Sequence, residues 1–348
     1  MAFEKIYNKN YKKILILPAV LLAVSLIYLF VFYAQTGDII NKDVSLTGGT
    51  TITISTDISS VDLEAELSKT LDDFSISAVS DNAGNQLQLI ITIGEERTSD
   101  LEAALEDYLG FELTNENSSK ETTSSSLSSD FYKQLIVAVL LAFFWMAAVV
   151  FIIFAKGRKL KIWTIILNVL FGFFMGNFFL SINPIVSAVI FLAFASFLIY
   201  TYVKNSIPAF AVMLSAFADI VMTLAVVDLV GMKLSTAGIV AFLMLIGYSV
   251  DTDILLTTRL LKKKEGINSA LFGAFKTGTT MTLTSIIAIT AALIAVYSFS
   301  SVLNQIFTIL LIGLGFDLFN TWITNASLIK WYTEIRRQDA YSSGRRAK

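Results

Sequence analysis

The sequence predicts a polytopic α-helical membrane protein of about eight spans that carries one small α+β domain outside the membrane. Hydrophobic residues make up 55% of its 348 residues and mean hydropathy is +0.69, more apolar than an average soluble domain. Eight stretches each supply the roughly 20 mostly apolar residues needed to cross a hydrocarbon core about 30 Å thick. Charge is also segregated. Residues 36–130 hold 19 acids against 4 bases, net −15, and the remainder holds 9 acids against 22 bases, net +13.

The first apolar stretch, 14–34, is long and runs into "VFYAQTGDII", a poor small-residue cleavage site, so it reads as a retained span rather than a signal peptide. The acidic segment follows. It alternates a strand "TTITIST", a helix "SSVDLEAELSKTLDD", a strand "SISAVS", a turn "DNAGN", a strand "QLQLIITI", a helix "SDLEAALEDYL" and a short strand "FELT". That β-α-β-β-α-β order predicts a ferredoxin-like domain. The polar run "NENSSKETTSSSLSS" is expected to return flexibly to the membrane. Seven more spans are expected at 131–155, 162–180, 184–203, 207–230, 235–258, 277–297 and 303–330. The division is therefore an N-terminal tail and first span (1–35), the extracytoplasmic domain (36–130), spans 131–206, a membrane core (207–332) and a basic tail (333–348).

Orientation follows from lysine and arginine, which concentrate in cytoplasmic loops. The N-terminus carries Lys5, Lys9, Lys12 and Lys13, and alternate connections are basic: "KGRKLK" (156–161), "KNS" (204–206) and "RLLKKKEG" (259–266). The tail "RRQDAYSSGRRAK" matches them, whereas "SIN", "GMKLS" and 298–302 hold one lysine between them, Lys233. Both termini are thus expected in the cytoplasm and 36–130 outside, in a cell membrane.

Cysteine and histidine are both absent. That excludes disulfides, thiol nucleophiles and cysteine or histidine metal sites, and any proton chemistry within the membrane falls to carboxylates. Asp219, Asp251, Asp253 and Asp317 lie within spans and Asp228 nearer an outer end. A charge at the centre of a lone helix costs about 2.5–3.5 kcal/mol on insertion scales, so such residues face a bundle interior or water. Asp219 and Asp317 fall near the midplane, where desolvation penalises the charged carboxylate and favours reversible protonation. Asp251 and Arg259 are eight residues apart and share a helical face, whereas Asp253 points elsewhere. Gly247, Ser249, Thr277 and Thr280 are small or hydroxyl residues that permit close helix contact and hydrogen bonding. Proton or ion coupling and a structural polar lock both fit these residues. Gly48 and Gly49 in "SLTGGT" suit a turn or a tight backbone approach.

Several of these motifs resemble the SecF family of protein-export membrane proteins, within the SecD/SecF group of the RND superfamily. They are "VSLTGGT" (44–50), "AFADIVMTL" (216–224), "IGYSVDTDILLTTR" (246–259), "FKTGTTMTLTS" (275–285) and, similar to archaeal members, "FDLFNTWITNASLIKWY" (316–332). The resemblance implies an RND-type half and partnership with SecD beside the SecYEG channel. It also implies proton-motive-force-driven movement of the exported domain that promotes translocation of preproteins. Asp219, Asp251, Arg259 and Asp317 become the candidates for proton or ion coupling, with Asp253, Gly247, Ser249, Thr277 and Thr280 as helix or SecD contacts. Membrane lipids are expected as partners and nucleic acid is not, and the resemblance implies no catalytic residue, metal or cofactor, so an enzyme is not expected. Six spans are implied where eight are read, so an extra pair, either 162–203 or 131–180, lies between 131 and 206. A standalone RND-type exporter of small molecules or lipids and a non-transporting translocon scaffold are the alternative functions.

Overall fold

The structure is a computed structural model that describes residue 7 and residues 10–346, apart from 57, 73, 81–85, 115–116, 263–265 and 297–300. The expected turn at 81–85, Lys5, Lys9 and parts of the 259–266 and 298–302 connections lie outside the described residues. Among the described residues, eight helices are long and apolar enough to cross a membrane, matching the eight expected spans. The first, α1 (Ile16–Thr36), ends at Gly37, whose left-handed backbone returns its N–H to the Tyr33 carbonyl.

After the short helix α2 (Val44–Thr47) comes an α+β domain. Its elements are β1 (Gly49–Ile54), α3 (Ser60–Leu67), β2 (Phe74–Ser80), β3 (Gln86–Ile93), a 3₁₀ turn at Glu95–Arg97, α4 (Thr98–Leu109) and β4 (Ser118–Thr123). The strands stand in the order β2-β3-β1-β4 and every neighbouring pair is antiparallel. Period-two alternation turns Ile52, Ile54, Leu89, Ile91 and Ile93 to one face, where Leu63 and Leu67 of α3 and Leu101 and Leu105 of α4 cover them. The fourth strand corrects the sequence reading. Residues 111–114 form no strand, and β4 lies within the segment expected to be a flexible return. It pairs with β1 because it offers Thr122 to a hydroxyl bridge with Thr50, 2.9 Å, and Lys120 to Glu102 of α4. No apolar alternation is needed at such a polar edge.

Gly48 adopts φ +87°, and a Cβ there would collide with the backbone of Ser125. A Cβ on Gly49 would collide with Val44 and the Ile93 carbonyl. The first strand therefore enters the sheet against backbone on two sides.

The remaining helices are α5 (Ser125–Phe154), α6 (Arg158–Asn177), α7 (Pro184–Asn205), α8 (Ile207–Leu229), α9 (Thr236–Lys262), α10 (Ile267–Val296) and α11 (Ser301–Asn320). A π-helical turn at Thr321–Asn325 then leads into α12 (Ala326–Arg346). The centre of the bundle is α8 and α9, which pack on each other and on α5 and α11. Alanine-rich α8 permits this closeness, as do glycines on its neighbours. A Cβ on Gly278 of α10 would lie 2.6 Å from Trp322, and one on Gly313 of α11 would lie 2.5 Å from Leu245. By contrast, α1 and α10 leave most of their surface exposed.

The domain is tied to this centre. Lys42 forms a parallel bridge with Leu234 in the α8–α9 connection, Asp43 N–H donates to Leu234 O at 2.8 Å, and Leu234 N–H donates to Asn41 O at 2.6 Å. Gln305 of α11 braces the same connection, donating to Lys233 O at 2.5 Å and accepting from Ser235.

Candidate functional site

Three helical stripes meet at the centre of the bundle, and each is polar for the same periodic reason. On α8, Ser215, Asp219 and Thr223 recur every four residues. Along α9, Ser249, Thr252, Asp253, Leu256, Thr257 and Leu260 follow the i, i+3, i+4, i+7 spacing of one helical face, and all six are buried. The segment from α11 into α12 contributes Asp317, Asn320, Thr321, Thr324 and Asn325. The π turn inserts an extra residue into that last stripe, a feature often found at functional sites.

Asp219 is fully buried. Its Oδ2 accepts from Ser249 Oγ at 2.6 Å and its Oδ1 from Asn320 Nδ2 at 2.7 Å, so one carboxylate joins α8, α9 and α11. Asn320 Oδ1 in turn accepts from Thr324 at 3.1 Å. Asp253, also fully buried, accepts at Oδ1 from Asn325 Nδ2 at 2.8 Å. The same amide nitrogen lies 3.3 Å from Thr257 Oγ1. Asp317 accepts from Thr321 Oγ1 at 3.2 Å and from Thr282 Oγ1 of α10 at 3.5 Å. The three carboxylates stand on three helices that pack directly on one another. No lysine or arginine forms a salt bridge to any of them among the described residues.

Among the described residues, this cluster's side-chain partners are hydroxyl and amide donors. They orient carboxyl oxygens without neutralising them, so protons or cations are the species that would change its charge. Asp253 Oδ2 and Ser215 Oγ are buried and unpaired among the described residues. A buried oxygen without a partner is costly and marks where the network is least complete. Among the described residues no group of three or more His, Cys, Asp or Glu side chains is arranged to hold a metal ion.

The other residues singled out in the sequence sit elsewhere. Asp251 is exposed on the opposite face of α9, with Gly247 one turn before it. Asp253 and not Asp251 enters the centre, because it stands four residues from Ser249 and shares its face. Arg259 is apart from the carboxylates: its Nη1 donates to Gly273 O at 2.7 Å and Thr277 Oγ1 at 2.9 Å, pinning α9 to α10. Thr280 is exposed and donates within its own helix to Lys276 O at 2.7 Å. Asp228 lies at the domain end of α8, where Oδ1 accepts from Asn41 N–H at 3.2 Å. Nearby, Asp38 accepts from Tyr132 at 2.6 Å and pairs with Lys42 at 2.7 Å.

Asn320, Thr321 and Asn325 carry much of the site and are not among the candidates read from the sequence. Their signal was the polar stripe in "DLFNTWITN", which charge alone does not reveal. Lys330 is buried in a cage, donating to Asn268 Oδ1 at 3.1 Å and lying 4.9 Å from the Tyr11 ring centroid and 5.6 Å from that of Tyr7. Tyr11 donates to Glu334 at 2.5 Å, so the N-terminal segment is locked onto α12. Burial pushes the Tyr7 hydroxyl up to about 12, against a hydrogen bond with Ser327 that pulls it down.

This core has known counterparts. Residues 179–335 match the family model described as protein export membrane protein SecD/SecF, C-terminal. This core is similar to the C-terminal part of SecD/SecF proteins. A SecF protein of Methanocaldococcus jannaschii is 46% identical over 148 residues, covering 41% of this chain and 52% of that protein. One from Methanolacinia petrolearia is 45% identical over 152 residues, 43% of this chain and 50% of that protein. The chain spans about half the length of the curated relatives it matches. In fold it is similar to a crystal structure of SecDF, a translocon-associated membrane protein from Thermus, with a TM-score of 0.56 and 15% identity. That likeness covers 94% of this chain and 38% of the other. The SecD/SecF match runs from just before α7 into α12 and so takes in all three stripes.

Proposed function

We propose that this chain is an accessory subunit of the protein-export machinery. It would act with a SecD partner beside the SecYEG channel and use the proton motive force to promote translocation of preproteins. The observation that supports the reading best is the gathering of Asp219, Asp253 and Asp317, each on a different helix, inside a SecD/SecF-type core. Protonation would relieve the cost of holding three buried carboxylates charged at one helix junction, and release would restore it. The helices they join would then prefer different packings in the two states.

A second feature supports the partner. Tyr248 and Asp251 on α9 and Lys276 and Thr280 on α10 are exposed. A charged face turned to hydrocarbon is costly, and a SecD-type half would cover it. The bridges from Asn41, Lys42 and Asp43 to Leu234 would carry motion at the α8–α9 connection to the α+β domain. We read that domain as ferredoxin-like and extracytoplasmic, with both termini cytoplasmic. The family match begins at residue 179, which favours 131–180, that is α5 and α6, as the pair added to a six-span plan.

The test is an export assay with an assembled Asp219→Asn complex. Asparagine retains an acceptor for Ser249 or Asn320 but cannot titrate. The expected result is co-purification with SecD and SecYEG together with loss of force-dependent export. Normal force-dependent export by that complex would reject ion coupling and leave a scaffold. Failure of the wild-type chain to capture SecD or SecYEG would point to a standalone exporter.

A further inference from the structure

At the end of the bundle bearing the basic loops, α5, α8, α9 and α12 leave a cleft of about 230 Å³. Lys156 follows α5, Lys262 closes α9 and Arg336 stands on α12, and all three line this cleft together with Tyr332. No acidic side chain does so among the described residues. Glu334, two residues before Arg336, is engaged by Tyr11 and by Lys330. None of the three cations forms a salt bridge among the described residues. Three elements distant in sequence thus converge like charges on one small space, an arrangement that repels itself until an anion enters. The polar Asn205, Ser206 and Thr258 line the cleft together with the apolar Ile153, Phe154, Pro208 and Leu261, and Ile153 is also exposed on the surface of α5.

We propose that this cleft binds the phosphate-bearing headgroup of an anionic membrane lipid. The Arg336 guanidinium offers a planar fork suited to phosphate oxygens. The lysines supply point charges on flexible stems that reach the headgroup level from helix ends. Below them, Ile153 and Leu261 continue the cleft into apolar surface where the first carbons of an acyl chain would lie. A soluble anion would have no use for that floor. The proposal rests on the reading of these helices as membrane spans and is independent of any role in export.

The full chain, purified in detergent, is titrated with phosphatidylglycerol and with phosphatidylcholine of the same acyl chains, and bound lipid is counted by native mass spectrometry. Three proteins are compared: the wild type, a K156Q/K262Q/R336Q variant and an R158Q/K159Q/K161Q variant altered in basic residues that do not line the cleft. The wild type should retain one phosphatidylglycerol in preference to phosphatidylcholine. The cleft variant should bind it about tenfold or more weakly and the loop variant as the wild type does. Equal binding by all three proteins, or equal loss in both variants, would overturn the site. Displacement of the lipid by inorganic phosphate at similar concentration would overturn the lipid as occupant. If the triple variant melts early, the single variants R336Q and K262Q replace it, and unchanged binding in both rejects the proposal.

Discussion

Where α5, α6 and α7 meet, the contact is aromatic. Phe144 lies 4.8 Å from Phe171, 5.5 Å from Phe191 and 6.2 Å from Phe194 between ring centroids, and Phe171 stacks on Phe194 at 3.9 Å. Where α8, α9 and α11 meet, Asp219, Ser249, Asn320, Asp253 and Asn325 are joined by directed bonds of 2.6–2.8 Å. The polar layer is buried and the aromatic one partly so within one membrane bundle, and they answer to different rules. Ring packing is graded, and losing one contact lowers stability in proportion to the atoms removed. A carboxylate–amide network is discrete, since each oxygen either has its donor or lacks it, and adding a proton turns an acceptor into a donor. Only the second layer can hold two states that differ by one ion, and all of it lies within the SecD/SecF match, whereas α5 and α6 lie before it.

The comparison is tested first at its apolar side, where the largest change in stability is expected. Phe171→Ala removes a ring at the middle of the aromatic cluster. Such truncations cost about 3–5 kcal/mol in water-soluble cores, and lipid can refill part of the gap here. Thermal unfolding in detergent should show the loss, while export per folded molecule stays unchanged. An export defect in folded protein would mean that the aromatic layer belongs to the working part.

A smaller loss of stability with the opposite functional sign is expected in the polar layer. Asp253→Leu leaves the Asn325 amide without its carboxylate, a cost of about 1–3 kcal/mol for an unsatisfied buried group. Export should fail even in the molecules that remain folded. Asp251→Leu, two residues away on the exposed face, should leave the melting temperature of the isolated chain unchanged and weaken capture of SecD. Equal melting shifts for the two variants would show that the faces of α9 do not differ.

That pair also shows how far the sequence could be read. Span number and position were legible because length and hydropathy do not depend on tertiary contacts. Two acids two residues apart cannot share a helical face, and that too was legible. Which one turns inward required the whole stripe, with Ser249, Thr252, Leu256 and Thr257 accompanying Asp253. Asn320 and Asn325 were harder to see because amides cost less to bury than charges and attract no notice in an apolar run. The π turn shifts the phase between them and Lys330, and no local residue announces it. In the domain, β1 and β3 alternate apolar residues and were legible. The fourth strand, "SSKETT", has no apolar residue to alternate and became a strand only by pairing with β1.

That polar strand supplies the smallest expected effect and a control on the membrane network, since it repeats hydroxyl chemistry beside water. Thr50 Oγ1 lies 2.9 Å from Thr122 Oγ1 and 2.7 Å from Thr98 Oγ1, tying β4 and α4 to β1. Thr122→Val keeps the β-branched shape that suits a strand and removes the hydroxyl. Thr50 retains Thr98, and water stands close to an edge strand, so the loss should be about 0.5–1 kcal/mol. Hydrogen exchange should accelerate along Ser118–Thr123 and remain unchanged along α8 and α9, with export intact. A loss as large as that of Asp253→Leu would mean that directed polar bonds matter equally in both settings. The contrast between the two membrane layers would then owe nothing to exclusion of water from the carboxylate cluster.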